Sequence, residues 1–208
     1  MFGITKSFEN LDVHKQKRII DAALKEFKEK GFEQASTNQI VKDAGIGKGM
    51  LFYYFNNKQD LYLYLFEYCL EMVEKKFFGA IDNGEPDLFE RLKKIVLVKF
   101  DFLSKYPDAM NFIGTILLND PIDENLTSRI AALHETGYAK IYGNLDYTLF
   151  KEEIDVPKAI NVIRWSIDGY ENELKQRLRG QNLSSLNYEP FIQEFFCYLD
   201  MMRTWFYK

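Results

Sequence analysis

Apolar residues recur three and four apart along most of the chain, and the breaks in that rhythm mark out its elements. Ile20, Ala23, Leu24 and Phe27 fall at i, i+3, i+4 and i+7, the spacing of a helix with one buried face, which predicts a helix over 13–30. Gly31 is expected to end it in a left-handed conformation, with Phe32 folding back on Phe27 as the apolar contact of a Schellman ending. Ser36 and Gln39, three residues apart, read as a capping box: the hydroxyl satisfies an orphan backbone donor and the amide reaches back to the cap. A second helix therefore opens at Thr37 and runs to about Ala44, where Gly45 supplies the positive φ of a short turn. Gly47 or Lys48 opens a third helix near Gly49. In it Leu51 and Phe55, four apart, pin the helix to the first two, while Lys48, Met50, Tyr53 and Tyr54 project elsewhere.

The rhythm resumes at Leu61 and continues through Tyr62, Leu65, Phe66, Cys69, Leu70 and Val73 to the turn chemistry of Asp82-Asn83-Gly84. Breakers then predict helices over 88–105, from Pro107 to about 118, and from about 125 to 150, with Asn119-Asp120-Pro121 as a loop. Pro157 suits a first helical turn, and Ile160, Ile163, Ile167, Tyr170 and Leu174 follow as a heptad-like seam. A second seam comprises Phe191, Phe195, Leu199, Met202 and Phe206. No stretch alternates like a strand. The fold class is all-α: a three-helix module over 1–58 and a larger helical domain over 59–208.

With 208 residues, 47% hydrophobic and 28% charged, the chain can bury a proper core. The net charge of −4 argues against a nucleic-acid binder until it is divided along the chain. Residues 1–58 hold ten Lys/Arg against seven Asp/Glu, and 59–208 hold 17 against 24, so the halves carry +3 and −7. Cys69 and Cys197 sit in apolar helical patterns and read as small core hydrophobes. With few cysteines and no leader pattern, the expectation is a cytoplasmic protein. The longest apolar runs, such as Phe112 to Leu118, are too short to cross a bilayer, so no membrane partner is expected.

Two short helices joined by a glycine turn, the second basic at its start and aromatic in its body, have the layout of a helix-turn-helix DNA reader. Gly47 and Gly49 would let the backbone approach a phosphate, and exposed N–H groups there favour an anion. Lys48 can reach a phosphate or the acceptor edge of guanine, and Tyr53 can pack on a thymine methyl or bond through its hydroxyl. Asn57 and Lys58 open the next helix, whose N-terminus would face the backbone again. The run Gly45-Ile46-Gly47-Lys48-Gly49 is no phosphate loop, since its glycine spacing is wrong and a helix precedes it. His14 and His134 lack partners at metal-ligand spacing, and there is no nucleophile elbow or zinc-protease motif. Neither an enzyme nor a cofactor or metal is expected.

The segment 17–61 resembles the DNA-binding domain of the TetR family of bacterial transcriptional repressors. The resemblance rests on Ala22, Ala23 and Phe27, Gly31-Phe32, Thr37 and Ile40, Ala44 through Gly49, Leu51 through Phe55, and Lys58. It implies a homodimer that binds a near-palindromic operator and lets go when a small molecule enters the C-terminal domain. Carried over by position, Thr37 is a phosphate contact, and Lys48, Gly49 and Met50 begin the recognition helix. Tyr53 is a base or sugar contact, Tyr54 a phosphate contact and Lys58 a backbone contact. Phe52 stands where relatives usually carry tyrosine, which removes a hydrogen bond of about 1 kcal/mol.

The resemblance also implies dimerisation through a four-helix bundle, which assigns Ile160, Ile163, Ile167, Leu174, Phe195, Leu199 and Met202 to the interface; an intramolecular core is the alternative. Phe100, Tyr106, Phe112, Tyr138, Tyr142, Trp165 and Tyr170 would wall a cavity for a lipophilic or flat inducer, or else serve as plain core. Arg164 and Glu173 are charged candidates for a ligand head group, with a solvated or interface salt bridge as the favoured alternative. A rival function on the same fold is a dimeric protein-interaction scaffold, such as a co-activator or nucleoid-associated factor.

Overall fold

A computed structural model describes residues 6–119, 124–179, 181 and 185–208. The described residues contain ten α-helices: α1 (Lys6–Glu9), α2 (Val13–Gln34), α3 (Thr37–Ala44), α4 (Lys48–Tyr54), α5 (Lys58–Met72), α6 (Leu88–Lys105), α7 (Pro107–Asn119), α8 (Glu124–Tyr142), α9 (Val156–Arg177) and α10 (Glu189–Phe206). A π-helical turn, Val73–Phe77, follows α5, and 3-10 turns lie at Phe78–Ala80 and Tyr147–Leu149. The all-α expectation holds, with no strand among the described residues beyond an isolated bridge between Phe150 and Tyr207. The chain packs as two compact units, one of Met1–Lys75 with Tyr106–Ile130 and one of Lys76–Lys105 with Ala131–Lys208.

In the first unit, the Asp12 carboxylate starts α2 by accepting the His14 and Lys15 N–H groups. Ile20, Ala23, Leu24 and Phe27 are all buried, as their spacing predicts. Gly31 does not form a left-handed cap: its φ of 67° pairs with a ψ of 176°, which kinks the helix, and helical structure continues to Gln34. Phe32 nonetheless stacks on Phe27, with ring centroids 6.4 Å apart. The Schellman pattern lies one helix later, at the end of α3. There Gly45 (φ 64°, ψ 41°) donates its N–H to Lys42 and the Ile46 N–H reaches Val41.

The capping box forms only by half. Ser36 Oγ accepts the Gln39 N–H, but the Gln39 amide runs forward to Asp43 at 2.7 Å. The Ser36 N–H is taken by Glu26 Oε1 at 2.9 Å, because a buried carboxylate on α2 is the stronger acceptor. Asn57 caps α5 through the Asp60 N–H. The helix α7 packs on α2 and α5 through Phe112, whose ring lies 6.2 Å from Phe27 and 5.2 Å from Tyr62.

The second unit is built around Leu88, Phe89, Leu92, Val96 and Phe100 of α6, Ile160 and Ile163 of α9, and Ile192, Phe195, Leu199 and Met202 of α10. Helix α8 stops at Tyr142, short of the expected 150, and its end is held by Arg91. Its fully buried guanidinium donates to the carbonyls of Lys140, Ile141, Gly143 and Asn144 at the end of α8, and to Asn83 and Glu85 before α6. The guanidinium supplies donors to carbonyls that a helix end leaves over, and Asn144 turns the chain there with a φ of 54°.

Candidate nucleic-acid interface

The turn from Gly45 to Gly47 sets the direction of α4. Gly45 occupies the left-handed region that its lack of a side chain favours, and Gly47 (φ −74°, ψ 147°) starts α4 with no side chain capping it. Leu51 and Phe55 are buried and anchor the helix, as predicted. The side chains of Lys48, Met50, Phe52 and Tyr53 are exposed, as are Gly47 and Gly49, so this surface carries one cation, a thioether and two aromatic rings. Tyr53 is the most exposed of its large apolar groups at 58%. Thr37 opens α3 half-buried.

Two expected DNA contacts lie elsewhere. Tyr54 is only 1% exposed, packed edge-on against Phe8 and Tyr53 with the Lys15 ammonium over its ring. The reason is geometric: positions 51, 54 and 55 form one helical face, so Tyr54 shares the burial of Leu51 and Phe55. Lys58 points inward and donates to the carbonyls of Phe32, Glu33 and Ala35 at 2.7, 3.1 and 3.3 Å. It satisfies carbonyls at the end of α2 and its cap that the termination of the helix at Gln34 leaves without helical partners.

A further contributor has no counterpart in the sequence reading. The one-turn helix α1 inserts Phe8 beside Phe55, Tyr64 and Tyr54, and Ser7 Oγ donates to the Tyr53 hydroxyl at 3.0 Å. The apolar signal was a single phenylalanine, too little to define a period.

The assigned interface residues of the second unit lie inward. Ile160, Ile163, Phe195, Leu199 and Met202 belong to its core, and Ile167 and Leu174 pack partly buried against it. The intramolecular alternative is what the chain adopts for these positions. The outward faces of the same helices carry Val162, Trp165, Tyr198, Met201 and Trp205, all exposed.

The seven aromatic wall candidates also separate. Tyr106 and Phe112 belong to the first unit, where Phe112 is core. In the second unit Phe100 packs on Tyr188, while Trp165 and Tyr138 are 61% and 52% exposed and wall nothing within the chain. Tyr170 donates to the Phe191 carbonyl and to Glu194, and burial together with that carboxylate pushes its pKa up. Burial, reinforced by Asp168, does the same for Tyr142, while nearby Arg164 opposes it. Arg164 bonds Asn161 through one terminal nitrogen, and its buried Nε has no hydrogen-bond partner. Glu173 lies 3.8 Å from Arg177 at the surface. Among the described residues no helix is long and apolar enough to cross a membrane, and no cluster of three or more His, Cys, Asp or Glu could hold a metal.

A short exposed helix set after a glycine turn, within an all-helical fold, has the layout of a helix-turn-helix regulator. Residues 19–65 match the family described as bacterial regulatory proteins, tetR family. The chain is 31% identical over 145 residues to an HTH-type transcriptional regulator of Staphylococcus aureus, covering 69% of this chain and 71% of that one. It is 35% identical over 92 residues to the fatty acid metabolism regulator protein of Bacillus subtilis, covering 40% of this chain and 44% of that protein. The match thus spans less than half of the Bacillus regulator. A solved TetR family transcriptional regulator from Chloroflexus aurantiacus superposes with a TM-score of 0.67 over 99% of both chains at 22% identity, a likeness of fold. The chain belongs to the TetR family of bacterial transcriptional regulators.

Proposed function

We propose that the chain is a cytoplasmic, ligand-responsive repressor that binds a near-palindromic operator as a homodimer, with residues 1–58 reading DNA and 59–208 sensing and dimerising. The observation that carries this reading is the division of α4: Leu51, Tyr54 and Phe55 hold it to the head, while Lys48, Met50, Phe52 and Tyr53 stand exposed beside Gly47 and Gly49. A rigid helix presenting a cation and aromatic edges next to bare backbone suits a major groove flanked by phosphates. Thr37, at the start of α3, would contribute a phosphate contact.

Dimerisation is assigned to the outward faces of α9 and α10. Val162, Trp165 and Gly169 on one helix and Tyr198, Met201 and Trp205 on the other share the spacing i, i+3, i+7. A paired copy would remove this large apolar stripe from water. The ligand is proposed to be lipophilic with an acidic head. Arg164, with its buried unpartnered Nε, would be the anchor and Tyr142 a neutral hydroxyl donor nearby. The name of the Bacillus relative, a fatty acid metabolism regulator, supports that chemistry.

The test is selection of bound duplexes from a random pool by the purified protein at near-physiological salt. Enrichment of one near-palindrome is expected. A folded dimer that enriches no sequence would overturn the proposal.

A further inference from the structure

We propose that Ser7 is a positioning residue for DNA reading: it holds the exposed Tyr53 hydroxyl in one pose, which makes α1 part of the reading head. This rests on the assignment of α4 as the reading helix.

A four-residue helix has no stability of its own, since nucleation costs more than one turn returns. It is ordered from outside. Phe8 is buried against three rings, its centroid 4.7 Å from Phe55, 5.3 Å from Tyr64 and 5.8 Å from Tyr54. From α2, the Gln16 side-chain amide donates to the carbonyls of Phe8, Glu9 and Leu11 at 3.0, 2.9 and 3.2 Å, the backbone groups that so short a helix leaves over. An aromatic plug on one side and an amide clamp on the other fix the backbone on which Ser7 sits.

Tyr53 is the opposite case. It projects from α4 with 58% of its surface exposed, and an exposed tyrosine exchanges among staggered side-chain rotamers in less than a microsecond. The hydrogen bond from Ser7 Oγ to the Tyr53 hydroxyl, 3.0 Å across 46 positions of sequence, favours one of them. Groups held ready for their partner give up less freedom on binding, so a fixed phenol discriminates better between base pairs than a wandering one. A neutral, partly exposed bond of this kind amounts to a three- to tenfold effect.

The test measures the affinities of wild type, Ser7→Ala, Ser7→Thr, Tyr53→Phe and the Ser7→Ala/Tyr53→Phe double variant at fixed salt. The probes are the duplex enriched from the random pool and a scrambled duplex of equal length. Ser7→Ala is expected to lower the ratio of the two affinities about three- to tenfold while leaving scrambled-duplex binding unchanged. Ser7→Thr should retain the ratio, and Ser7→Ala should add nothing once Tyr53→Phe has removed the hydroxyl. A merely structural role for Ser7 would instead weaken both duplexes together, or act additively with Tyr53→Phe, and either result overturns the inference. Wild-type preference untouched by Ser7→Ala overturns it alone. A wild type with no preference at all overturns the reading assignment and this inference with it.

Discussion

The ammonium of Lys58 lies 2.7 Å from the carbonyl oxygen of Phe32 and 4.7 Å from the centre of the Phe32 ring, so one cation both ends α2 and covers its last aromatic residue. The same nitrogen reaches Glu33 and Ala35. The first turn of α5 is thereby tied to the kinked end of α2.

Replacing Lys58 with Met should lower stability by about 2 kcal/mol, read as a lower urea midpoint at unchanged slope. The salt dependence of DNA binding should keep its slope, because this charge faces carbonyls. Loss of a phosphate contact would reduce the slope by about 0.9, and that result would restore Lys58 to the DNA surface.

Among the described residues, the positive-φ glycines Gly31 and Gly45 should respond differently to substitution. A Cβ at Gly31 or Gly45 meets nothing within 4 Å, so only backbone strain is at issue. Gly45 lies in the left-handed helical region, which asparagine tolerates, and Gly45→Asn should cost under about 1 kcal/mol. Gly31, with ψ near 176°, lies where essentially only glycine goes, and Gly31→Asn should cost about 1–3 kcal/mol. Equal thermal midpoints for the two variants would contradict this.

Arg91, fully buried, serves carbonyls of two segments of the second unit, 83–85 and 140–144. Arg91→Met would leave these carbonyls without donors and should cost about 3 kcal/mol or more in urea unfolding. Arg91→Lys should recover only part, because an ammonium has three donors and lacks the guanidinium's planar fork. Amide exchange of residues 140–144 should accelerate in both variants before that of the rest of α8.

Trp165 and Trp205 are the chain's two tryptophans, and both stand on the outward face assigned to dimerisation. Intrinsic fluorescence should therefore report association directly: blue-shifted emission for the dimer, moving to the red on dilution. Met201→Glu should give a monomer by sedimentation, already red-shifted. Leu199→Ala, in the core, should instead cost about 2–5 kcal/mol of stability. Red-shifted emission independent of concentration in the wild type would place the dimer contact elsewhere.

Helical period located most elements because it reports which side of a helix is buried. It does not report what covers that side. Ile160, Ile163 and Leu199 were correctly on buried faces, but the covering elements belong to the same chain. The outward stripe at Val162 and Trp165 was not legible as a stripe: Trp165 reads as a cavity wall from its aromatic type, and spacing alone does not say which of two apolar faces on one helix turns outward. The burial of Tyr54, which was expected on the DNA surface, was legible only in the face it shares with 51 and 55. Lys58 and Arg91 were not, because their partners are backbone carbonyls between 6 and 53 positions away, which no residue type announces. Gly45 was legible because the turn between two helices demanded a positive φ, whereas at Gly31 a positive φ was legible but not that helical structure continues past it to Gln34.

The exposed face of α4 is proposed to read DNA. Its most direct test is an anisotropy titration of the pool-enriched duplex and a scrambled duplex, at one salt concentration, with wild type and Tyr53→Ala. The wild type should prefer the enriched duplex by about 10³-fold or more. Tyr53→Ala should lose roughly ten- to a hundredfold of that preference while remaining a folded dimer. A folded Tyr53→Ala dimer that keeps the full wild-type preference would contradict the assignment.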